Sequence, residues 1–123
     1  MNERVKTILQ QMLEDTEDVI AFTKEAGSFN IFAHDIKIRK AVIMSLLNIG
    51  ELANQLPSEY KAVHSNIPWK NMIGMRNYAA HGYHTLNLHA VWATTQTSVP
   101  MLLAFLKSQL HSDIKNKDSG KDK

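Results

Sequence analysis

The sequence contains no cysteine, so a disulfide framework, a thiolate metal site and a cysteine nucleophile are all excluded. It also has no long apolar run: the longest, from Met101 to Leu106, has six residues, whereas a membrane span needs about 20. The first residues lead directly into an amphipathic pattern, so we expect no signal peptide and a location in the cytoplasm. With 123 residues, five glycines and three prolines, the chain is expected to form one domain that is stabilised by packing.

Acidic residues are unevenly distributed along the chain. Residues 1 to 60 contain nine acidic and six basic residues, whereas residues 61 to 112 contain four basic residues, no Asp or Glu, and five of the six histidines. A phosphate bound to the second stretch meets no fixed negative charge from that stretch, which favours a polyanionic ligand there. Chance or burial of the stretch would explain the same composition. Residues 113–123 alternate four Lys with three Asp, so we expect a disordered tail.

Apolar side chains recur at helical spacing in four segments, and no alternation long enough for a strand occurs. The first predicted helix ends near Gly27, and the second runs from Asp35, a suitable N-cap, to Pro57. Residues 31–33, which are Ile, Phe and Ala, are expected to pack at the start of the second helix.

The third helix is expected to open at Pro68 and to end close to Gly82. The fourth starts near Asn87, and Pro100 is expected to kink it. Five methionines at core spacing are expected to fill gaps in the interior: Met12, Met44, Met72, Met75 and Met101. These patterns predict an all-α domain over residues 1–112, an antiparallel four-helix up-and-down bundle with a kinked last helix.

The candidate site is the segment Arg76-Asn77-Tyr78-Ala79-Ala80-His81-Gly82-Tyr83 at the end of the third predicted helix. Asn77 and His81 would share a helix face, whereas Arg76 and His81 would lie about 140° apart. A guanidinium binds phosphate oxygens, an imidazole transfers protons near neutral pH, and an amide orients either group. The set suits phosphodiester chemistry without a metal ion. The spacing also suits a site that a second protomer completes in a two-fold dimer.

Each of these residues also has an ordinary structural interpretation. A single Arg on a helix is usually a solvated charge, and a His near a helix C-terminus often interacts with the dipole. Tyr78 is best interpreted as a packing residue. A metal site could use His81, His84 and His89, but no Asp, Glu or Cys lies nearby in the sequence to complete or orient a zinc ion.

Several segments of the chain resemble the HepT-like HEPN family. The resemblance rests on Arg76, His81 and Tyr83 at their spacing, on the flanking segments 67–75 and 86–92, and on Ile49-Gly50-Glu51-Leu52-Ala53, and it covers about residues 3 to 110. Members of that family are small α-helical bundles that dimerise and act as metal-independent ribonuclease toxins. They are usually encoded beside a minimal nucleotidyltransferase antitoxin.

The resemblance implies a role for each candidate residue. Arg76 and His81 would be the catalytic pair, Asn77 would be a supporting polar residue, and the antitoxin would attach AMP to Tyr83. RNA would be the substrate, and neither a cofactor nor a metal ion would be needed. Gly82 and the Ala pair at 79–80 depart from the family pattern at positions that are not catalytic; they are expected to loosen the helix end beside His81.

The leading hypothesis is therefore an endoribonuclease toxin with an Arg76/His81 site at a dimer interface. The alternative is a non-catalytic helical adaptor or substrate-binding partner of a nucleotidyltransferase, and family resemblance alone does not choose between them. A sequence-specific nucleic-acid binder is weaker, because the chain shows no helix-turn-helix pattern and has few basic residues in the relevant half.

Overall fold

The computed structural model describes residues 1–77 and 87–121, with side chains described up to residue 112. Within these ranges the chain is helical and has no strand, which confirms the all-α fold class. The helices are α1 (Glu3–Ala26), α2 (Phe29–His34), α3 (Ile36–Gln55), α4 (Ser58–Val63), α5 (Trp69–Gly74), α6 (Leu88–Gln96) and α7 (Ser98–Lys121). None of the described helices is both long enough and apolar enough to cross a bilayer. The disorder expected for residues 113–123 stays a prediction.

The helices pack around one apolar core. Helix α1 lies against α3 and α7, α3 also contacts α5, and α6 packs on α7, while the short α2 bridges α3 and α6. The largest fully buried side chains are Leu9, Met12, Val19, Phe32, Val42, Ile43, Leu46, Ile49, Met72, Val91, Leu102 and Leu106. The helical bundle expected from the sequence is thus confirmed.

Local capping chemistry sets the ends of the two central helices. Helix α1 ends at Gly27, whose φ of 76° is left-handed and whose N–H donates to the Thr23 carbonyl at 2.9 Å. Helix α3 begins after Asp35, whose Oδ1 accepts hydrogen bonds from the backbone N–H groups two and three residues later, at 3.0 and 3.1 Å. It ends before Pro57, because a residue that precedes proline disfavours the helical conformation. These boundaries agree with the sequence-based expectation.

The predicted fourth helix is in fact two helices. Asn87 caps α6 as expected, since its Oδ1 accepts from the Ala90 N–H at 3.1 Å. The chain breaks at Thr97, and Pro100 lies in the first turn of α7. A proline ring collides with the carbonyl four residues earlier, here that of Gln96, and supplies no N–H to it. The kink therefore falls three residues before the proline and takes the form of a helix boundary.

Some apolar side chains expected in the interior are exposed. Phe32 is fully buried, but Ile31 is 47% exposed, Met44 51% and Met101 41%. Met44 lies between the buried residues Val42 and Leu46, and two residues along a helix turn a side chain to the opposite side. The expectation was wrong for Ile31, Met44 and Met101. It is confirmed for Met12, Met72 and Met75, which are buried.

The orientation of α3 can be tested with two large-to-small variants on the same helix. We expect Leu46→Ala to lower the free energy of unfolding by about 2–5 kcal/mol, because it leaves a cavity in the core. We expect Met44→Ala to change it by less than about 0.5 kcal/mol, because that side chain faces solvent. Urea titration followed by circular dichroism measures both, and equal losses would contradict the orientation described.

Candidate active site

The start of α5 is fixed by an aromatic cluster. Trp69 is only 7% exposed, and its Nε1–H donates to the His64 carbonyl at 2.9 Å. The Phe105 ring lies 5.8 Å from the Trp69 ring and 5.2 Å from the His64 ring. The Tyr60 hydroxyl donates to Gln109 at 3.2 Å, and burial raises the pKa of Tyr60 to about 12. These contacts hold α4 and the start of α5 against α7.

The helix that leads to the candidate site is shorter than the sequence predicts. Helix α5 ends at Gly74, whereas the pattern indicated one helix from Pro68 to near Gly82. After Gly74 the backbone bonds are one residue shorter than in an α-helix: the Met75 N–H donates to the Met72 carbonyl at 3.0 Å, and the Arg76 N–H donates to the Ile73 carbonyl at 3.2 Å. Arg76 therefore lies in a tight turn that interrupts the predicted helix, and the next residue, Asn77, is again helical. The predicted end near Gly82 lies outside the described residues.

Arg76 is held by one side-chain hydrogen bond within this turn. Its Nε–H donates to the Ile73 carbonyl at 3.2 Å, and the side chain is half-buried. A guanidinium carries five N–H donors, and this bond engages one of them. Neither terminal nitrogen bonds to a residue within 1–77 or 87–121, so both suit an anion. Since residues 61–112 contain no carboxylate, the segment around Arg76 offers none to neutralise it.

The turn lies directly on α3 at Gly50. An ideal Cβ at that position would be 2.7 Å from the Met72 carbonyl oxygen, 3.1 Å from Arg76 Cγ and 3.2 Å from the Arg76 nitrogen. Met72 and Met75 flank the contact and are both nearly fully buried. The backbone that carries Arg76 is thus packed against α3 more closely than any residue with a side chain at position 50 would permit.

Negative charge is concentrated on the other side of α3. A groove of about 430 Å³ is lined by Gln11, Glu14, Asp15, Asn48, Glu51, Leu52 and Gln55. Burial raises the pKa of the Asp15 carboxyl above its usual range, while its hydrogen bond to Asn48 opposes the shift. Glu51 follows Gly50 directly and is exposed. An anionic ligand at Arg76 is therefore expected to approach from the α5 side and to avoid this groove.

Two of the four predicted site residues belong to the described structure. Arg76 is half-buried at the end of the turn, and Asn77, the next residue, is exposed and helical. His81 and Tyr83 lie outside the described residues, so their roles and the pairing of Arg76 with His81 stay predictions. The same holds for Tyr78, interpreted as a packing residue.

The histidine alternative is only partly within the described structure. His81 and His84 lie outside it, and the third member, His89, stacks on Phe29 with ring centroids 4.0 Å apart. No group of three or more potential metal-binding side chains occurs in the part of the chain that the structure describes.

The sequence did not lead us to predict the aromatic cluster to which the stacked rings of Phe29 and His89 belong. Trp92 on α6 lies 5.2 Å from Phe32 and 6.4 Å from Phe29, measured between ring centroids, so α2 holds the start of α6. The available signal was that His89 and Trp92, like Phe29 and Phe32, are three residues apart and share a helix face. This cluster holds the first turns of α6 against α2.

Comparison with known proteins identifies similar sequences. A family model described as "Ribonuclease HepT-like" matches residues 12–109. The chain is 36% identical over 98 residues to "Putative RNase MJ1380" of Methanocaldococcus jannaschii, which covers 80% of this chain and 89% of that protein. It is 33% identical over 102 residues to "Probable ribonuclease HepT" of Thermococcus cleftensis, covering 83% and 92%. No solved structure matches the chain.

Proposed function

We propose that this chain, which belongs to the HepT-like ribonuclease family, is a metal-independent endoribonuclease that cleaves RNA with Arg76 and His81. The observation that carries the proposal is the family match over residues 12–109, a range that contains both residues together with Asn77 and Tyr83. The placement of Arg76 supports it. A half-buried guanidinium suits a phosphate when its terminal nitrogens have no partner in the described part of the chain and its own segment has no carboxylate.

The proposed reaction is an internal transesterification. A ribose 2′-oxygen bonds to the adjacent phosphorus, the bond from phosphorus to the 5′-oxygen breaks, and a cyclic phosphate and a 5′-hydroxyl result. His81 moves the proton between the attacking and leaving oxygens. Arg76 stabilises the negative charge that accumulates on the phosphorane, and Asn77 orients one of the two groups.

Kinetics of variants test the catalytic pair. We expect His81→Ala to lower the rate of RNA cleavage by about 100- to 10,000-fold, as for loss of a general acid or base. We expect Arg76→Ala to cost a comparable factor through lost electrostatic stabilisation. Cleavage of labelled RNA by the purified protein measures both. DNA should be inert because it lacks the 2′-hydroxyl, and EDTA should leave the rate unchanged.

Matched controls are available on exposed helix positions. His111→Ala and Arg4→Ala remove the same residue types from exposed sites on α7 and α1 and should keep full activity. Loss of cleavage in EDTA, or products that carry 5′-phosphates, would contradict the mechanism. RNA left intact by the wild-type protein would favour the non-catalytic adaptor.

We propose that the site lies at the interface of a homodimer, in which the third and fourth predicted helices form the contact and the two copies of Arg76 and His81 face each other. The carboxylate-free composition of residues 61–112 supports this arrangement, because two copies of the segment carry no acidic groups that would repel a shared polyanion.

Mass measurement tests the dimer. Light scattering at micromolar protein should give about twice 13.9 kDa, since each site is proposed to need both protomers. A monomer that cleaves RNA at the full rate would rule out the composite site.

The partner proposed for this chain is a minimal nucleotidyltransferase antitoxin that silences the toxin by attaching AMP to Tyr83. Tyr83 lies two residues beyond His81 in the sequence, and the added phosphate would compete with RNA for the Arg76 guanidinium. The bulk of the nucleotide would also obstruct the site. We also propose a cytoplasmic location for both proteins, because RNA is available there.

Modification of the tyrosine is tested with Tyr83→Phe. We expect this variant to keep its nuclease activity but to escape inhibition by the nucleotidyltransferase with ATP and magnesium, because it lacks the hydroxyl that accepts AMP. Mass spectrometry of the wild type should show one added adenylate per chain. Equal silencing of variant and wild type would show that Tyr83 is not the target.

A further inference from the structure

Gly50 occupies an unusual place for a glycine. It lies within α3, is buried, and is not among the residues with positive φ, so its backbone conformation is one that any residue adopts. Glycine is among the poorest helix formers, and an alanine would favour the helix. The reason for a glycine at this position must therefore be space rather than conformation.

The space is taken by the backbone of the turn that carries Arg76. An added Cβ would lie 2.7 Å from the Met72 carbonyl oxygen, below the 3.0 Å that real Cβ contacts essentially never cross, and 3.2 Å from the Arg76 nitrogen. Both atoms belong to the main chain and cannot rotate away. The third neighbour, Arg76 Cγ at 3.1 Å, is the stem of the side chain that presents the guanidinium.

Two hydrogen bonds connect this contact to the guanidinium. The backbone N–H and the Nε–H of Arg76 both donate to the Ile73 carbonyl, each at 3.2 Å. Since the turn rests on Gly50 through the Met72 carbonyl and the Arg76 nitrogen, a shift of the turn moves the guanidinium with it. The separation of the turn from α3 thus sets where the terminal nitrogens lie.

We propose that Gly50 is a positioning residue for RNA cleavage: the absence of a side chain there fixes the place at which Arg76 meets the substrate phosphate. This inference rests on the proposed function, in which Arg76 stabilises the transition state. A displacement of about 1 Å at a catalytic group costs up to about 100-fold in rate, so a single methyl group at position 50 is expected to matter.

The test compares Gly50→Ala with Gly74→Ala. An ideal Cβ at Gly74 meets no atom of the described residues within 4 Å, so this second variant makes the same substitution in a neighbouring helix without the collision. We expect Gly50→Ala to lower kcat for RNA cleavage by about 10- to 100-fold with KM changed less than threefold. Gly74 lies in the segment proposed to form the dimer contact, so light scattering first checks that Gly74→Ala is still a dimer. The dimeric Gly74→Ala variant should retain the wild-type kcat.

A double variant separates positioning from general damage to the fold. If Gly50 acts through Arg76, adding Gly50→Ala to Arg76→Ala should lower the residual rate by less than twofold, because the positioned group is already gone. If the rate of the double variant instead falls by the product of the two single losses, the damage is unrelated to Arg76 and the inference is overturned.

A spectroscopic measurement keeps the test valid if Gly50→Ala folds poorly. The ¹⁵N resonance of the Arg76 Nε–H group reports its bond to the Ile73 carbonyl, and we expect it to shift in Gly50→Ala but not in Gly74→Ala. An unchanged resonance, or a Gly50→Ala chain that does not fold at all, would make Gly50 a packing residue only. Full activity of Arg76→Ala would refute the proposed function itself, whereas full activity of Gly50→Ala beside an inactive Arg76→Ala would overturn this inference alone.

Discussion

The close approach of α5 to α3 at Gly50 is the contact on which the candidate site depends. Met72 and Met75 are buried where the turn packs against α3. At the other end of α5, the Trp69 indole donates a hydrogen bond to the His64 carbonyl and holds the start of the helix in place. A side chain at position 50 would meet main-chain atoms, so the turn would have to move away from α3. Packing in the core therefore determines the position of a polar side chain at the surface, because Arg76 is the first residue beyond the buried pair.

Charge is separated between the two sides of α3. The acidic groove contains Glu14, Asp15 and Glu51, whereas the segment that carries Arg76 has no carboxylate. Burial raises the pKa of Asp15, so the folded protein holds this proton more tightly than the unfolded chain and the group opposes folding increasingly as pH rises through its titration. In its ionised form, this carboxylate adds to the electrostatic contrast with the Arg76 side, which favours approach of a polyanion from one direction.

The sequence predicted the elements whose ends depend on local chemistry. The left-handed Gly27, the Asp35 cap and the end of α3 before Pro57 were all found where expected, because each involves groups only a few residues apart. The errors have tertiary causes. The predicted third helix is interrupted after Gly74, where a turn packs against α3, and it is helical again at Asn77. Met44 is exposed because no other described helix covers that side of α3. The break at Thr97 follows from Pro100, but its form as a boundary between two helices was not evident from the pattern.

The amino-acid sequence by itself determined the all-α class, the family and the separation of acidic from basic segments, since composition, helical spacing and motif order are properties of the chain. It also identified Arg76 as a candidate, although within a continuous helix rather than in a turn. Only the tertiary structure decided that Arg76 lies in a turn, that its Nε is bonded to Ile73, and that Gly50 lies beneath it. The physical reason is that residue 50 lies in α3 and residue 76 in the turn after α5, so their contact depends on how α5 packs on α3. The only local sign of this contact is a glycine at a position where a helix would favour another residue.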